Sequence, residues 1–474
     1  MARVAFYQNV QWELHGVMSL AAALRRAGHE CRVFIGDREL ERSLAGDRPD
    51  IAAFTCSSAH ARWTRDAARR VKSATGAPVI VGGIHPTFSP RSMLDEGAID
   101  AVCVGEGERA FELLAERTGN GRDYEGIPNL VYRRGDDVVE APLAPLLTDL
   151  DALPDPDRDV YYETHPTLAR NPIKPFFIGR GCPYSCTFCF NGRFRKLYRA
   201  GSDYIRMRSP DRVLDEIERV RSRWGLSRIF FFDDIFTVDR AFTLDFLERY
   251  RRAGGPPFRC YVSVRHQDAE LLAALRDAGC FHVEFGVESG NEEYRRKTLR
   301  KPFTNDQIRA AAANIRAAGL RFSTGNIFLM PGETFETALD TVRLNAEIRP
   351  DSVLANLFQP YRGLPLTDVG AEHGEIDEGT LDELEFASFR ESPVRNPDTE
   401  RIVRLHLLFG AAVRFPRLIG RLDGLCRLPL DGVYRVVFWL HYALTYPRRN
   451  PMSSLEALRM GVHWVRQFRS IFKE

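Results

Sequence analysis

"IGRGCPYSCTFCFNGRF" spans Ile178–Phe194 and sets Cys182, Cys186 and Cys189 inside eight residues, whereas the other six cysteines of the chain are scattered. Close thiolate spacing in a glycine-bearing loop suits a metal centre, and a soft sulfur set favours zinc or an iron–sulfur cluster. A structural zinc site is closed by four ligands. A bacterial ferredoxin run supplies a fourth Cys followed by Pro. This loop offers three thiols, with no His or fourth Cys nearby. Three thiolates on a cubane would leave one iron open to an outside ligand. A zinc knuckle is the competing reading.

Outward from the loop, short apolar runs alternate with helical patterns. "KPFFIGR", "SRIFFFDD", "FRCYVSV", "FHVEFGVE", "RFSTGNIFLM" and "DSVLANLF" are strand-like, with helices such as "PDRVLDEIERVRSRWG" between them. Six βα units are too few for a closed eight-stranded barrel and suit an open, partial (β/α)6 TIM-type one, with its chemistry at the strands' carboxyl ends. Before the loop, "RVAFYQ", "ECRVFIG", "DIAAFTC", "APVIVGG" and "IDAVCVGEGE" alternate with helices such as "ARWTRDAARRVKSATG". That pattern predicts a parallel, Rossmann-like α/β sheet. Sites in such sheets lie beyond the carboxyl ends of the strands. The stretch "EAPLAPLLTDLDALPDPDRDVYYETHP" is rich in Pro and Asp, lacks periodicity and reads as a linker. After about Glu385 strand signals vanish. "RIVRLHLLFGAAVRFPRLIGRL" and "LEALRMGVHWVRQFRSIF" read as arginine-rich amphipathic helices. The expected organisation is a Rossmann-like domain at 1–150, a linker at 151–170, a barrel at 171–385 and a helical region at 386–474.

The bulk composition narrows the class. At 474 residues, with 44% hydrophobic and 27% charged residues, the chain suits a globular protein of two or three domains. A net charge of +2 argues against a global nucleic-acid-binding field. From Arg401 onward, however, 13 Lys and Arg face 4 Asp and Glu, a local excess of +9. Nine cysteines without framework spacing do not describe a secreted disulfide scaffold. The opening "MARVAFYQNVQ" has no signal-peptide core, and no apolar run approaches ~18 residues. The expectation is a reducing, cytoplasmic setting.

The C-x3-C-x2-C loop at the head of a six-fold βα repeat resembles the radical S-adenosylmethionine (SAM) superfamily over roughly residues 170–360. The resemblance implies a [4Fe–4S] cluster on Cys182, Cys186 and Cys189, with Phe188 inside the loop, and an open iron that chelates SAM. Reductive cleavage of SAM then releases a 5′-deoxyadenosyl radical, for which an external one-electron donor of flavodoxin or ferredoxin type is needed. Asp233 and Asp234 of "FFDDIFT" fall where the superfamily binds the methionine amino group. No Gly-Gly-Glu stands there, so which aspartate binds is open, and Asp234 could equally cap a helix. Arg265 could pair with the methionine carboxylate or form a surface ion pair. Glu288 and Ser289 of "FGVESGN" would serve the ribose. Asn326 and Met330 of "TGNIFLMPGET", with the Pro331-Gly332 turn, would face adenine, Asn326 as contact or as polar support.

Residues 1–145 resemble a cobalamin-binding domain placed ahead of such a barrel. Ser57-Ser58, Gly82-Gly83, His85 in "GGIHPTFSP" and Glu106 in "VCVGEGE" carry the likeness. Glycine at a strand end lets backbone approach a flat macrocycle, and a Ser hydroxyl can hold its nucleotide tail. The Asp-x-His-x-x-Gly pattern that supplies a histidine below cobalt is absent. "QNVQWELHG" places His15 directly before Gly16, so no histidine lower ligand is expected and His15 reads as polar structure at a helix start. A shell that has lost cobalamin is the alternative.

Together the two resemblances imply a cobalamin-dependent radical SAM methyltransferase, nearest the phosphinate methylases in the cysteine stretch. Such an enzyme would move methyl from methylcobalamin to an unactivated carbon or phosphorus centre. Members with the same domains that cyclise or rearrange, and a non-catalytic cobalamin binder, are the alternatives. The substrate is expected to be a small or lipid-like molecule. The basic, aromatic "CRLPLDGVYRVVFWLHYALTYPRR" suggests a lid over the barrel, solvated helices, or peripheral contact with anionic lipid.

Overall fold

A computed structural model describes residues 1–94, 97–119, 124–199, 202–383 and 391–449. In the first domain, strands β1 (Arg3–Gln8), β2 (Glu30–Ile35), β3 (Ile51–Thr55), β4 (Val79–Gly82), β5 (Ala101–Cys103), β6 (Leu130–Arg134) and β7 (Asp137–Glu140) form one sheet of order β2-β1-β3-β4-β5-β6-β7. The first five strands run parallel, and β6 and β7 add an antiparallel hairpin at the edge. The alternation of side chains sorts the core into two layers. Val4 and Phe6 of β1 pack with Met18, Phe111 and Leu114 on one face. Ala5 and Tyr7 pack with Phe54, Ala68 and Val71 on the other. The hairpin is an addition to the expected sheet. It turns on Gly135, whose φ of 61° suits glycine.

The second domain opens with β8 (Ile173–Phe176), followed by a ribbon of β9 (Gly179–Arg180) and β10 (Arg206–Met207). β11 (Arg228–Phe231), β12 (Phe258–Tyr261), β13 (Cys280–Glu288), β14 (Arg321–Phe328) and β15 (Ser352–Leu357) complete a six-stranded parallel sheet of order β15-β14-β13-β12-β11-β8. This is the open half-barrel expected from the six-fold repeat. The helices between strands begin on side-chain caps: Ser209, Asp239, Asp268, Thr304 and Thr334 each accept a backbone N–H of the first turn. Aromatic residues Phe176, Phe231, Phe246, Tyr250 and Phe258 fill the layer between sheet and helices.

The stretch between the sheets is tied down. Arg158 is buried, bonds Glu216 at 2.9 Å and lies over the Phe176 ring at 4.1 Å. Tyr162 donates to Glu13 at 3.0 Å and Tyr161 donates to Gln8. Both reach back into the first domain. Beyond the barrel, the helix Thr399–Arg414 packs Ile402, Leu405 and Phe409 against Phe328 and Leu357. The expected continuous helix through residue 422 breaks at Phe415, because Pro416 cannot continue it and a tighter 3-10 turn takes over. The helix Asp431–Arg449 then crosses β14 and β15. The stretch "LEALRMGVHWVRQFRSIF" lies outside the described residues. No helix among the described residues is long and apolar enough to cross a membrane.

Candidate active site

The cysteine loop leaves β8 at its carboxyl end and is held on both flanks. On the approach, Gly181 has φ of 106°, and a Cβ there would lie 2.3 Å from the Tyr204 carbonyl oxygen, so only glycine fits against the neighbouring chain. Between the second and third cysteines, the Thr187 N–H donates to the Leu299 carbonyl at 3.0 Å and its hydroxyl to the Thr298 carbonyl at 2.8 Å. Arg195 donates to the Pro183 carbonyl at 2.7 Å. These bonds pin a loop that has no secondary structure of its own.

All nine cysteines are free thiols. Six are buried in the cores and the three of the loop are partly exposed. Burial pushes the Cys182 thiol up to about 12, with Asp234 and the other two thiols adding to it. Burial pushes Cys186 up to about 11, partly offset by Lys301, and raises Cys189. Three desolvated thiols that raise one another need nearby positive charge to ionise, which a metal cluster supplies. Three thiols fit a cluster that keeps one iron open better than a structural zinc site, which is closed by four ligands.

Lys301 is the residue that the sequence reading missed. The turn stitched to Thr187 delivers its ammonium to Glu288 at 2.7 Å, with both side chains almost buried. Burial works to lower the lysine pKa, but Glu288 and Cys186 outweigh it and the net shift is upward. Glu288 takes up this position with φ of 63°, in the left-handed region. A Cβ on Gly286 would fall 1.9 Å from the Glu288 carboxylate and 2.6 Å from the Lys301 ammonium, so Gly286 makes the space for the pair.

The two aspartates separate clearly. Asp233 is buried and accepts the backbone N–H of Ile178 at 2.9 Å and of Gly179 at 2.8 Å. Burial lifts its pKa to about 7 against those bonds. It braces the start of the loop. Asp234 is exposed at the strand end, bonded by the Asn191 amide at 2.9 Å, and does not cap a helix. Arg265 is exposed, donates to the Pro302 carbonyl at 2.9 Å and makes no ion pair among the described residues. Phe188 packs against the core behind the loop.

Three expected contacts turn inward instead. Ser289 is fully buried, and its hydroxyl accepts the Asn291 N–H. Asn326 donates to Thr324 and Leu354 and accepts from Asn345, so its amide protons are spent as polar support within the sheet. Met330 is buried in the core, and the backbone of its turn is already bonded. Glu333 accepts from Leu329 and Met330, Gly332 donates to Glu375, and the Pro331 carbonyl accepts from Tyr294.

Across the interface, the strand ends of the first sheet meet the cysteine loop. Phe88 stacks on Phe190, directly after Cys189, with centroids 5.0 Å apart and planes 10° apart. Glu106, expected at cobalamin, pairs instead with Arg206 at 2.6 Å and Arg180 at 3.3 Å, and Glu108 holds Arg180 at 2.7 Å. Those arginines hold the Glu106 pKa down despite its burial. The carboxylate is thus a clasp between the domains. Ser57 is exposed and bonds His60 at 2.8 Å, whereas Ser58 is buried and bonds His85 at 3.0 Å. Gly83 is demanded by the fold, since a Cβ there would lie 2.6 Å from the Cys56 carbonyl oxygen. Gly82 is not: a Cβ would meet only Cys103, at 3.7 Å. An open glycine at a strand end fits a flat ligand laid against it. His15 starts the helix His15–Arg26, with its ring 4.3 Å from Phe177 of the barrel. Burial, then Arg180, Arg208 and Arg158, push its pKa well down, so the imidazole is neutral.

Residues 9–115 match the B12 binding domain and residues 176–344 match the radical SAM superfamily. An uncharacterized methyltransferase from Pyrococcus horikoshii is 26% identical over 359 residues, covering 74% of this chain and 76% of that protein. An anaerobic magnesium-protoporphyrin IX monomethyl ester cyclase from Cereibacter sphaeroides is 27% identical over 376 residues, covering 75% of this chain and 60% of that protein. The radical SAM methyltransferase TsrM from Kitasatospora setae, solved with cobalamin and a [4Fe–4S] cluster, shares the fold at a TM-score of 0.65 and 20% identity, covering 79% of this chain and 78% of its own. A radical SAM domain takes a [4Fe–4S] cluster and SAM, and a B12-binding domain takes cobalamin. The chain thus carries a B12-binding domain followed by a radical SAM domain.

Proposed function

We propose that this protein is a methyltransferase that moves a methyl group from cobalamin to an unactivated carbon or phosphorus centre of its substrate. Bound together, the cluster, SAM and cobalamin supply a substrate-abstracting radical and a transferable methyl group. The observation that carries the reading is the facing of the two sites. The glycine-bearing strand ends of the first sheet abut the cysteine loop through Phe88 and Phe190, and the Glu106 clasp fixes the approach. Transfer between two centres needs such near-contact geometry.

The residues divide the work. Cys182, Cys186 and Cys189 hold the cluster. Asp234, free of the bracing role that occupies Asp233, accepts from the methionine ammonium. Arg265 supplies a cation for the carboxylate. Glu288, oriented by Lys301, accepts from the ribose with its second oxygen. Gly82 and the Ser58–His85 pair line the cobalamin side. A one-electron donor docks from outside, and the unpaired state of every cysteine supports a reducing, cytoplasmic setting.

The test needs no substrate. Anaerobically reconstituted protein is given SAM and reduced cobalamin, and S-adenosylhomocysteine and 5′-deoxyadenosine are quantified. Methyl transfer predicts both. The cyclase relative favours a second reading, non-methylating chemistry on the same domains. It predicts 5′-deoxyadenosine alone. Neither product means the barrel does not cleave SAM.

A further inference from the structure

The helix Asp431–Arg449 turns one face into the fold and leaves an apolar one outside. Tyr434, Thr445 and Arg449 are buried on the inner face, where the helix crosses β14 and β15. On the outer face Val433, Val436, Leu440 and Leu444 are 57%, 58%, 58% and 73% exposed. Their spacing places them on one stripe of a 3.6-residue helix. Ala443 and Pro447 are exposed on the same side. Leu428 and Leu430, 46% and 44% exposed, extend it into the preceding turn. Single exposed apolar residues are ordinary, but a contiguous apolar face marks a contact surface.

The charge of the same helical unit selects the partner. Arg414, Arg417, Arg421 and Arg435 are exposed and form no salt bridge among the described residues. Between Arg401 and Arg449 the chain carries 9 Arg against 2 Asp. An exposed apolar stripe in a helical unit that also exposes unpaired arginines fits the boundary between headgroups and acyl chains of an anionic bilayer. No described helix is long and apolar enough to span one, so the helix would lie on the surface.

We infer that the C-terminal helical unit docks this protein on an anionic lipid surface through the Val433–Leu444 stripe, with the arginines holding the headgroups. The inference stands apart from the catalytic reading and is tested without reductant or SAM. Reconstituted protein is sedimented with phosphatidylcholine vesicles, with and without phosphatidylglycerol. It should bind the anionic vesicles only, and release with salt. Leu440→Glu, a surface change that leaves the inner face intact, should weaken binding about tenfold or more, since it removes a leucine from the acyl region and inserts a charge. Arg417→Ala with Arg421→Ala should weaken the anionic preference alone. Protein that stays in the supernatant with both vesicle types overturns the inference. So does a dimer, seen by light scattering, that Leu440→Glu converts to monomer, because the stripe would then be a subunit interface.

Discussion

Lys301 and Glu288 set the electrostatics beside the cysteine loop. Removing the ammonium leaves a nearly buried carboxylate facing the cluster thiolates, and negative charge near a cluster disfavours its reduced form. Lys301→Met is therefore expected to move the cluster midpoint to more negative potential, and Lys301→Arg to hold it near wild type. A redox titration followed by electron paramagnetic resonance decides, and an unchanged midpoint in Lys301→Met would remove the lysine from this role. Cys186→Ala should lose the brown cluster absorbance and all 5′-deoxyadenosine formation. Iron counts and product assays under strong reductant check it, and surviving cleavage would sink the cluster assignment. The three cysteines were legible because their spacing is local. Lys301 was not, since its only sequence mark is a basic pair in a turn. What recruits it is the pair of Thr187 bonds to Thr298 and Leu299.

At the scale of elements, the turn after β14 carries a testable charge state. Glu333 is buried and its pKa is raised to about 8, burial outweighing the bonds from Met330 and Leu329. The folded state therefore binds its proton more tightly than the unfolded chain. Stability from this group is fullest at acid pH and falls as pH rises toward 8, by up to about 1.4 kcal/mol per pH unit. Glu333→Gln keeps an acceptor for both N–H groups and loses the titration. Urea midpoints between pH 5 and 9 should slope less in the variant, and parallel slopes would place the proton elsewhere. The six barrel strands and five parallel strands were readable as buried apolar runs between helices. The β6–β7 hairpin escaped because two short strands around one glycine turn carry little periodicity. Asn326 and Ser289 sat at strand ends, as cofactor contacts do. Only the structure reveals that neighbouring side chains already occupy them.

For the whole molecule, the interface between the domains is the critical element. Arg206 is nearly buried and has Glu106 as its facing carboxylate, so Glu106→Ala leaves a desolvated cation unpaired. The expected cost is about 3 kcal/mol. It should appear as a lower urea midpoint together with faster proteolysis in residues 140–170. A variant with wild-type stability would show that the clasp adds nothing. Sequence alone determined the soft-metal loop, the half-barrel and the sheet ahead of it, because ligand spacing and strand–helix alternation are properties of neighbours along the chain. Tertiary structure decided which aspartate is free, that Glu106 joins domains, that Lys301 faces the cysteines, and which face of the last described helix stays bare. Each of these depends on partners far apart in sequence, and on burial, which a residue acquires only when the rest of the chain closes over it.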